Sequence, residues 1–264
     1  MGRPRHPALP ILSLLSLSLL VFPSATFGQS SDSQPGVYPA GLTFGYGVGA
    51  VAVRDENISN QRYAGTLPDL ALSWARDHGR YVYRTAIELR KSDGVRNHSV
   101  GADITRFSLE QAFLYPLRPG KALGRDLHLF LGPTAGLTLL VNEQRVAVDA
   151  LGYALSTSGL FFLGVQGEAL MPLSQRVNAH GALRVSVLSL GFRGVDDEID
   201  DESPVKPVTL LTGADVSLQL GARYRLTGHL SFGLAYLFQL HRVTAWRSFT
   251  SASDSIIGGL TWRF

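Results

Sequence analysis

Apolar residues return at every second position along most of this chain, in ten segments separated by stretches where the alternation fails. The first segment sets Leu42, Phe44, Tyr46, Val48 and Ala50 against Thr43, Gly45, Gly47 and Gly49. A period of two puts alternate side chains on opposite faces, so the segment predicts a strand with one apolar and one small or polar face. Leu70, Leu72 and Trp74 mark the second. The others fall near residues 81–90, 106–115, 127–139, 161–171, 177–187, 208–224 and 230–241. In the last, Ile256, Leu260, Trp262 and Phe264 face one way while Gly259, Thr261 and Arg263 face the other.

The breaks between segments come in two classes. Short connections are expected at 76–79, 116–126, 174–176 and 225–229, and long ones at 54–65, 91–103, 142–158, 191–207 and 243–254. Long and short alternate without exception, which an up-and-down barrel with its long loops at one end produces directly. A soluble sandwich also alternates, so segment length decides. Runs of ten to fifteen residues exceed the usual strand of about five or six and match a tilted strand crossing a bilayer, about nine to eleven. The second face carries Gly, Ser, Thr and single charges with little Lys, which suits a lumen better than a wetted sheet surface. The pattern predicts an all-β fold, a transmembrane antiparallel up-and-down β-barrel of ten strands. Closure would also remove the unpaired edges that lipid does not tolerate.

Composition adds the compartment. Residues 1–28 combine Arg3 and Arg5, an apolar run from Ile11 to Phe22, and Thr26 and Gly28 before Gln29. That is the layout of a cleaved secretory signal peptide, leaving 29–264 as the barrel domain. There is no Cys, so stability does not depend on disulfides. The 24 basic residues nearly balance the 21 acidic ones, and two of the basic ones lie in the leader. Nucleic acid is therefore not an expected partner. Twenty-eight glycines fit a β-rich chain.

With Leu260, Trp262 and Phe264 at its end, the chain resembles bacterial outer-membrane β-barrels, closest in architecture to small monomeric barrels of the OmpA and OmpX kind. The resemblance implies that this terminal segment is read by the barrel-assembly machinery and that the last strand closes against the first. It also implies periplasmic termini, a monomer, and outer-membrane lipid and lipopolysaccharide as surroundings. Trp74, Tyr81, Tyr115 and Tyr224 lie beside the short connections, where an interfacial aromatic girdle is expected.

Charges on the lumen face are the candidate functional residues. A register that pairs the third and fourth segments around 91–103 sets Arg84 opposite Glu110 and Glu88 opposite Arg106, a two-rung ladder. A similar register at the next short turn sets Glu168 opposite His180, with Arg184 one level higher and Asp215 across from it. Buried charges require partners, so these eight residues read either as a polar core filling the lumen or as an ion-selective constriction. Asp215 and His241 can also approach as an acid–base pair. His98 and Ser99 bring barrel deacylases to mind, but they are adjacent and lack an acidic orienter. The acidic run from Asp196 to Glu202 lacks calcium-loop spacing. No cofactor or metal motif is present. The function expected is a structural or narrow-pore barrel, with an enzyme acting on lipid A or peptides as the alternative.

Overall fold

The computed structural model describes residues 38–56, 59–97, 100–145, 153–195, 205–246 and 248–264. The leader, His98, Ser99 and the run Asp196 to Glu202 lie outside the described residues. The strands are β1 (Gly41–Asp55), β2 (Ser59–Asp77), β3 (Val82–Asn97), β4 (Val100–Pro116), β5 (Gly120–Ala122) and β6 (Arg125–Arg145). After them come β7 (Tyr153–Pro172), β8 (Val177–Val195), β9 (Val205–Thr209), β10 (Gly213–Arg225), β11 (Leu230–Val243) and β12 (Phe249–Trp262). β5 is a short arm folded onto β6, and β9 and β10 lie in succession along β8. The wall therefore has ten staves.

Every neighbouring pair is antiparallel, and the sheet closes because β1 pairs with both β2 and β12 while β10 pairs with both β8 and β11. Leu42 sits opposite Trp262 in the closing pair, so the last strand does seal against the first. Closure satisfies the backbone within the wall and leaves no edge to lipid.

The apolar face of the alternation points outward. Phe44, Val48, Leu163 and Ile256 are each more than half exposed, and similar residues recur on stave after stave. A soluble domain cannot carry so continuous an apolar surface, whereas a bilayer requires it. The barrel is of the transmembrane, outer-membrane type. Among the described residues no helix is long and apolar enough to cross a membrane; the crossing is made by strands.

Strand continues into all five connections expected to be long. β1 runs to Asp55 and β2 starts at Ser59, with Arg54 paired to Arg62; β3 and β4 continue to Asn97 and from Val100. Their outward residues there, such as Arg54, Arg62 and Arg96, are exposed and charged. Beyond the apolar band the outer face turns polar, so the period-two signal vanishes although the hydrogen-bonded ladder continues.

Two irregularities shift phase. Gly94, at φ 107°, marks a bulge between Asp93 and Val95 of β3, a backbone conformation suited to glycine. Opposite Leu163 and Gly164, β8 carries a second, leaving both Val187 and Leu188 outside and turning Ser189 and Arg193 inward. Inside, apolar residues gather at two levels. Val51, Val53, Tyr63, Leu67, Ile104, Leu140 and Phe249 fill the long-loop end, and Tyr38, Val82, Leu114, Phe130 and Leu170 the short-turn end. Between them the lumen is polar.

Candidate functional site: the charged lumen

The inward residues of the middle levels form connected ion pairs. Asp215 on β10 accepts from Arg106 Nη2 of β4 at 3.3 Å, from Arg184 of β8, and pairs with His241 Nδ1 of β11 at 3.1 Å. Its backbone N–H donates to Ser186 Oγ at 2.8 Å. Arg184 continues to Glu110 Oε2 at 3.0 Å and lies 4.5 Å from the centre of the Phe162 ring. Glu110 is 3.9 Å from Arg84, whose nearer partner is Glu168 Oε1 at 2.9 Å. Glu168 also accepts from Gln166 Nε2 and from the Tyr38 hydroxyl, each at 2.7 Å.

A second string runs beside the first. Asp69 and Arg90, directly opposite on β2 and β3, pair at 2.7 Å. Arg90 donates to Ser253 Oγ at 2.8 Å and lies 3.6 Å from Glu88, which accepts from Gln239 Nε2 at 2.7 Å. Nearer the long loops, Arg193 of β8 pairs with Asp55 of β1. Six of these contacts, Arg106–Asp215, Arg184–Glu110, Arg84–Glu168, Arg90–Ser253, Glu88–Gln239 and Arg193–Asp55, join staves that are not neighbours in the wall and so tie it across the lumen. The most enclosed members of the network are Asp69, Asp215 and His241 at 0% exposure and Arg90 at 1%.

The eight expected network residues all face inward, but the expected rungs are wrong. β3 and β4 pair with Ala86 opposite Glu110 and Arg90 opposite Arg106, so Arg84 does not face Glu110 and Glu88 does not face Arg106. The hairpin reaches out to Asn97 and Val100, so the observed register differs from the expected one by two and keeps the faces, while the Gly94 bulge inserts one further residue nearer the turn. Arg90 is held instead by Asp69 across the β2–β3 pair. On β7 and β8, Leu170 rather than Glu168 lies opposite His180, and Glu168 lies opposite Ala182. Ser217 is the direct neighbour of Arg184, and Asp215 reaches it diagonally. An isolated ladder is replaced by a mesh across the barrel. Asp69, Arg90, Gln166, Gln239 and Tyr38 belong to it and were not singled out beforehand. Inward parity next to a known charge was the available signal for Arg90 and Gln239. Asp55 and Arg193 lay in stretches expected to be loop.

Asp215 and His241 do meet, and Ser158 Oγ of β7 lies 3.4 Å from His241 Nε2. The order Ser–His–Asp follows the spacing of a hydrolytic triad. Its surroundings do not favour catalysis. All three residues are at most 1% exposed, the Asp215 carboxylate is already held by two guanidiniums, and neither lumen cavity described below is lined by them.

The short-turn end is looser. A cavity of about 300 Å³ there is lined by Tyr38, Arg84, His128, Glu168, Asn178, His180, Gln219 and Arg223 among others, and a smaller one of about 80 Å³ adjoins it. Tyr38 precedes β1 and enters this mouth, its ring edge-on to Phe130 at 5.3 Å. Burial pushes its phenol well above the usual value of 10, and the adjacent Glu168 charge adds to the effect. At the outer surface of the same end, Leu260, Trp262 and Phe264 are 50%, 58% and 70% exposed. Tyr81 packs near Phe113 and Tyr115 at 6.0 and 6.2 Å, within the expected aromatic girdle. No group of three or more metal-binding side chains occurs among the described residues.

No protein-family model and no curated protein sequence matches the chain. Among solved structures it is similar to the outer membrane protease OmpT from Escherichia coli, with 8% identity over 86% of this chain and 97% of that one, TM-score 0.49. It is also similar to the translocator domain of the autotransporter NalP from Neisseria meningitidis, with 12% identity over 86% and 90%, TM-score 0.45. A third is Ail, the attachment invasion locus protein of Yersinia pestis, with 7% identity over 85% and 99%, TM-score 0.31. No residue correspondence follows from likeness at this level.

Proposed function

We propose that the chain is a monomeric outer-membrane barrel whose lumen is a filled, charge-paired core, so that its role is structural rather than that of an open pore. The observation that carries this reading is the contact of Arg106 with Asp215 at 3.3 Å, which joins β4 and β10 across the barrel where an aqueous path would run. The apolar clusters above and below it support the same reading. The leader layout of residues 1–28 supports export, with both ends of the barrel chain and the short turns on the periplasmic side and lipopolysaccharide around the far rim. In planar bilayers the parent protein should give no steady conductance, and the combined Arg106→Ala and Asp215→Ala variant should conduct. A steady, ion-selective current from the parent would replace this reading with the narrow pore.

The terminal Leu260, Trp262 and Phe264 are proposed as the segment recognised by the barrel-assembly machinery. Deleting Phe264 should lower insertion in cells while leaving refolding in detergent largely intact. A barrel enzyme acting on lipid A or peptides is the rival reading, favoured by the line from Ser158 through His241 to Asp215. Covalent labelling of Ser158 by a fluorophosphonate would establish it; an unlabelled protein excludes this serine as nucleophile.

A further inference from the structure

We infer that the short-turn vestibule is a binding site for a small oxyanion, a molecule presenting a carboxylate or phosphate group, with Arg223 as its anchoring cation. The side chain of Arg223 lines both the cavity of about 300 Å³ and the adjoining one of about 80 Å³. Among the described residues it has no ion pair and no hydrogen bond. Its charged neighbours are Glu168, Arg84 and Arg263. The one carboxylate in that set is already engaged by Arg84 at 2.9 Å, Gln166 at 2.7 Å and Tyr38 at 2.7 Å. The network guanidiniums of Arg84, Arg90, Arg106, Arg184 and Arg193 each pair with a carboxylate, whereas among the described residues that of Arg223 does not. Facing space instead of a carboxylate, it is matched by an anion from outside.

Local geometry supplies further donors. β8 and β10 pair with Asn178 opposite Arg223, His180 opposite Gly221 and Ala182 opposite Gln219. Inward parity therefore brings Asn178, His180, Gln219 and Arg223 onto one patch of wall. Glycine is required at 221, since a Cβ there would stand 2.5 Å from the Leu234 carbonyl oxygen and 2.7 Å from His180 Cε1. His180 Nδ1 is buried with no hydrogen-bond partner among the described residues. A planar guanidinium fork beside two carboxamides suits an oxyanion, which accepts several directed bonds, better than a halide. The volume sits at the lower end of the range for ligand pockets, which restricts the occupant to a small molecule. The Arg84–Glu168 pair and the mesh behind it close the inner end, so the ligand enters and leaves by the short-turn mouth. The inference rests on the vestibule alone and stands whether or not the lumen conducts.

The test is calorimetric titration of the full barrel, refolded in a non-ionic detergent, with inorganic phosphate and separately with succinate. Choline and glycerol serve as cationic and neutral controls. One anion or both should bind saturably at one site, and the two arms distinguish a phosphate from a carboxylate preference. Arg223→Gln should weaken binding at least tenfold and Arg223→Lys less. Arg225→Gln, at an exposed rim position outside both cavities, should leave it unchanged. If Arg223→Gln gives no heat-modifiable folded band, Asn178→Ala replaces it, with a several-fold loss expected. Absence of saturable binding by either anion overturns the inference. So does equal weakening by Arg225→Gln, or parent-like binding by the Arg223→Gln or Asn178→Ala protein. A current through the parent would overturn the filled-core reading without moving these titrations.

Discussion

Asp215 and Arg223 lie on the same strand, on the same inward face, four inward positions apart. Asp215 is enclosed by Arg106, Arg184 and His241 and by its own N–H bond to Ser186. Arg223 faces open volume and no available carboxylate. An inward charge on a barrel strand thus has two outcomes. Where opposite walls meet, it becomes one tie in a mesh and its removal strands several partners. Where the lumen widens toward the turns, the same parity delivers a charge that is free to meet a solute.

The largest effect should come from breaking the enclosed side of this comparison. Asp215→Ala leaves Arg106 buried without its carboxylate and Arg184 with Glu110 alone, and breaking a buried pair typically costs about 3–5 kcal/mol. Adding Arg184→Ala should recover part of that loss, because residues in one network are not additive. Urea unfolding in detergent, followed by loss of the heat-modifiable band, measures both. The exposed Arg54–Glu56 pair at 3.1 Å is the internal control, where Arg54→Ala should cost less than about 1 kcal/mol. Strictly additive losses for Asp215 and Arg184 would dissolve the mesh.

This contrast also marks what could be read from the sequence and what could not. Alternation names the wall: Phe44, Val48 and Ile256 point to lipid, and all eight candidate charges point inward. A register shift of two preserves faces, so inward parity is legible while the directly opposite partner is not. The sequence sets Arg84 opposite Glu110 because the hairpin is expected to turn near 91–103, where the outward apolar signal ends; the two approach only diagonally, at 3.9 Å. The ladder instead continues to Asn97 and Val100, held by backbone hydrogen bonds that leave no trace in hydropathy. Ties such as Arg106–Asp215 connect positions more than a hundred residues apart and depend on closure of the whole sheet. No local spacing encodes them. Tyr38 was equally hidden, since a single aromatic residue ahead of the first strand carries no periodic signal.

Tyr38 tests the boundary between the two regions, because it lines the vestibule while bonding to the mesh. Tyr38→Phe keeps the edge-on contact with Phe130 and removes only the 2.7 Å hydrogen bond to Glu168. Hydrogen bonds to charged groups contribute about 1.5–3 kcal/mol, so the variant should lose that much at neutral pH. The pH dependence follows from the raised phenol value. The folded state favours the neutral phenol, so this contribution is complete below the ordinary value of 10 and is lost as pH rises through the higher folded value. Among the nine tyrosines, the variant should remove a late step from the tyrosinate absorbance titration. An unchanged late step would place the Tyr38 hydroxyl in water, away from Glu168.

The smallest effect is expected at Arg223 itself, and it bears most directly on the comparison. Arg223→Gln removes a cation whose charged neighbours include Arg84 and Arg263, and it breaks no ion pair. Substitutions away from paired or packed features usually fall within about 0.5 kcal/mol, and relief of repulsion acts in the stabilising direction. The variant should therefore unfold in urea almost where the parent does when no anion is present. Adding phosphate or succinate should then separate them, because a ligand held only by the folded state stabilises it by about 2.7 kcal/mol at a hundredfold excess over its dissociation constant. The parent should gain and the variant should not. If Arg223→Gln is instead as damaging as Asp215→Ala in anion-free buffer, Arg223 is a structural member of the mesh. The two ends of β10 would then be doing the same work.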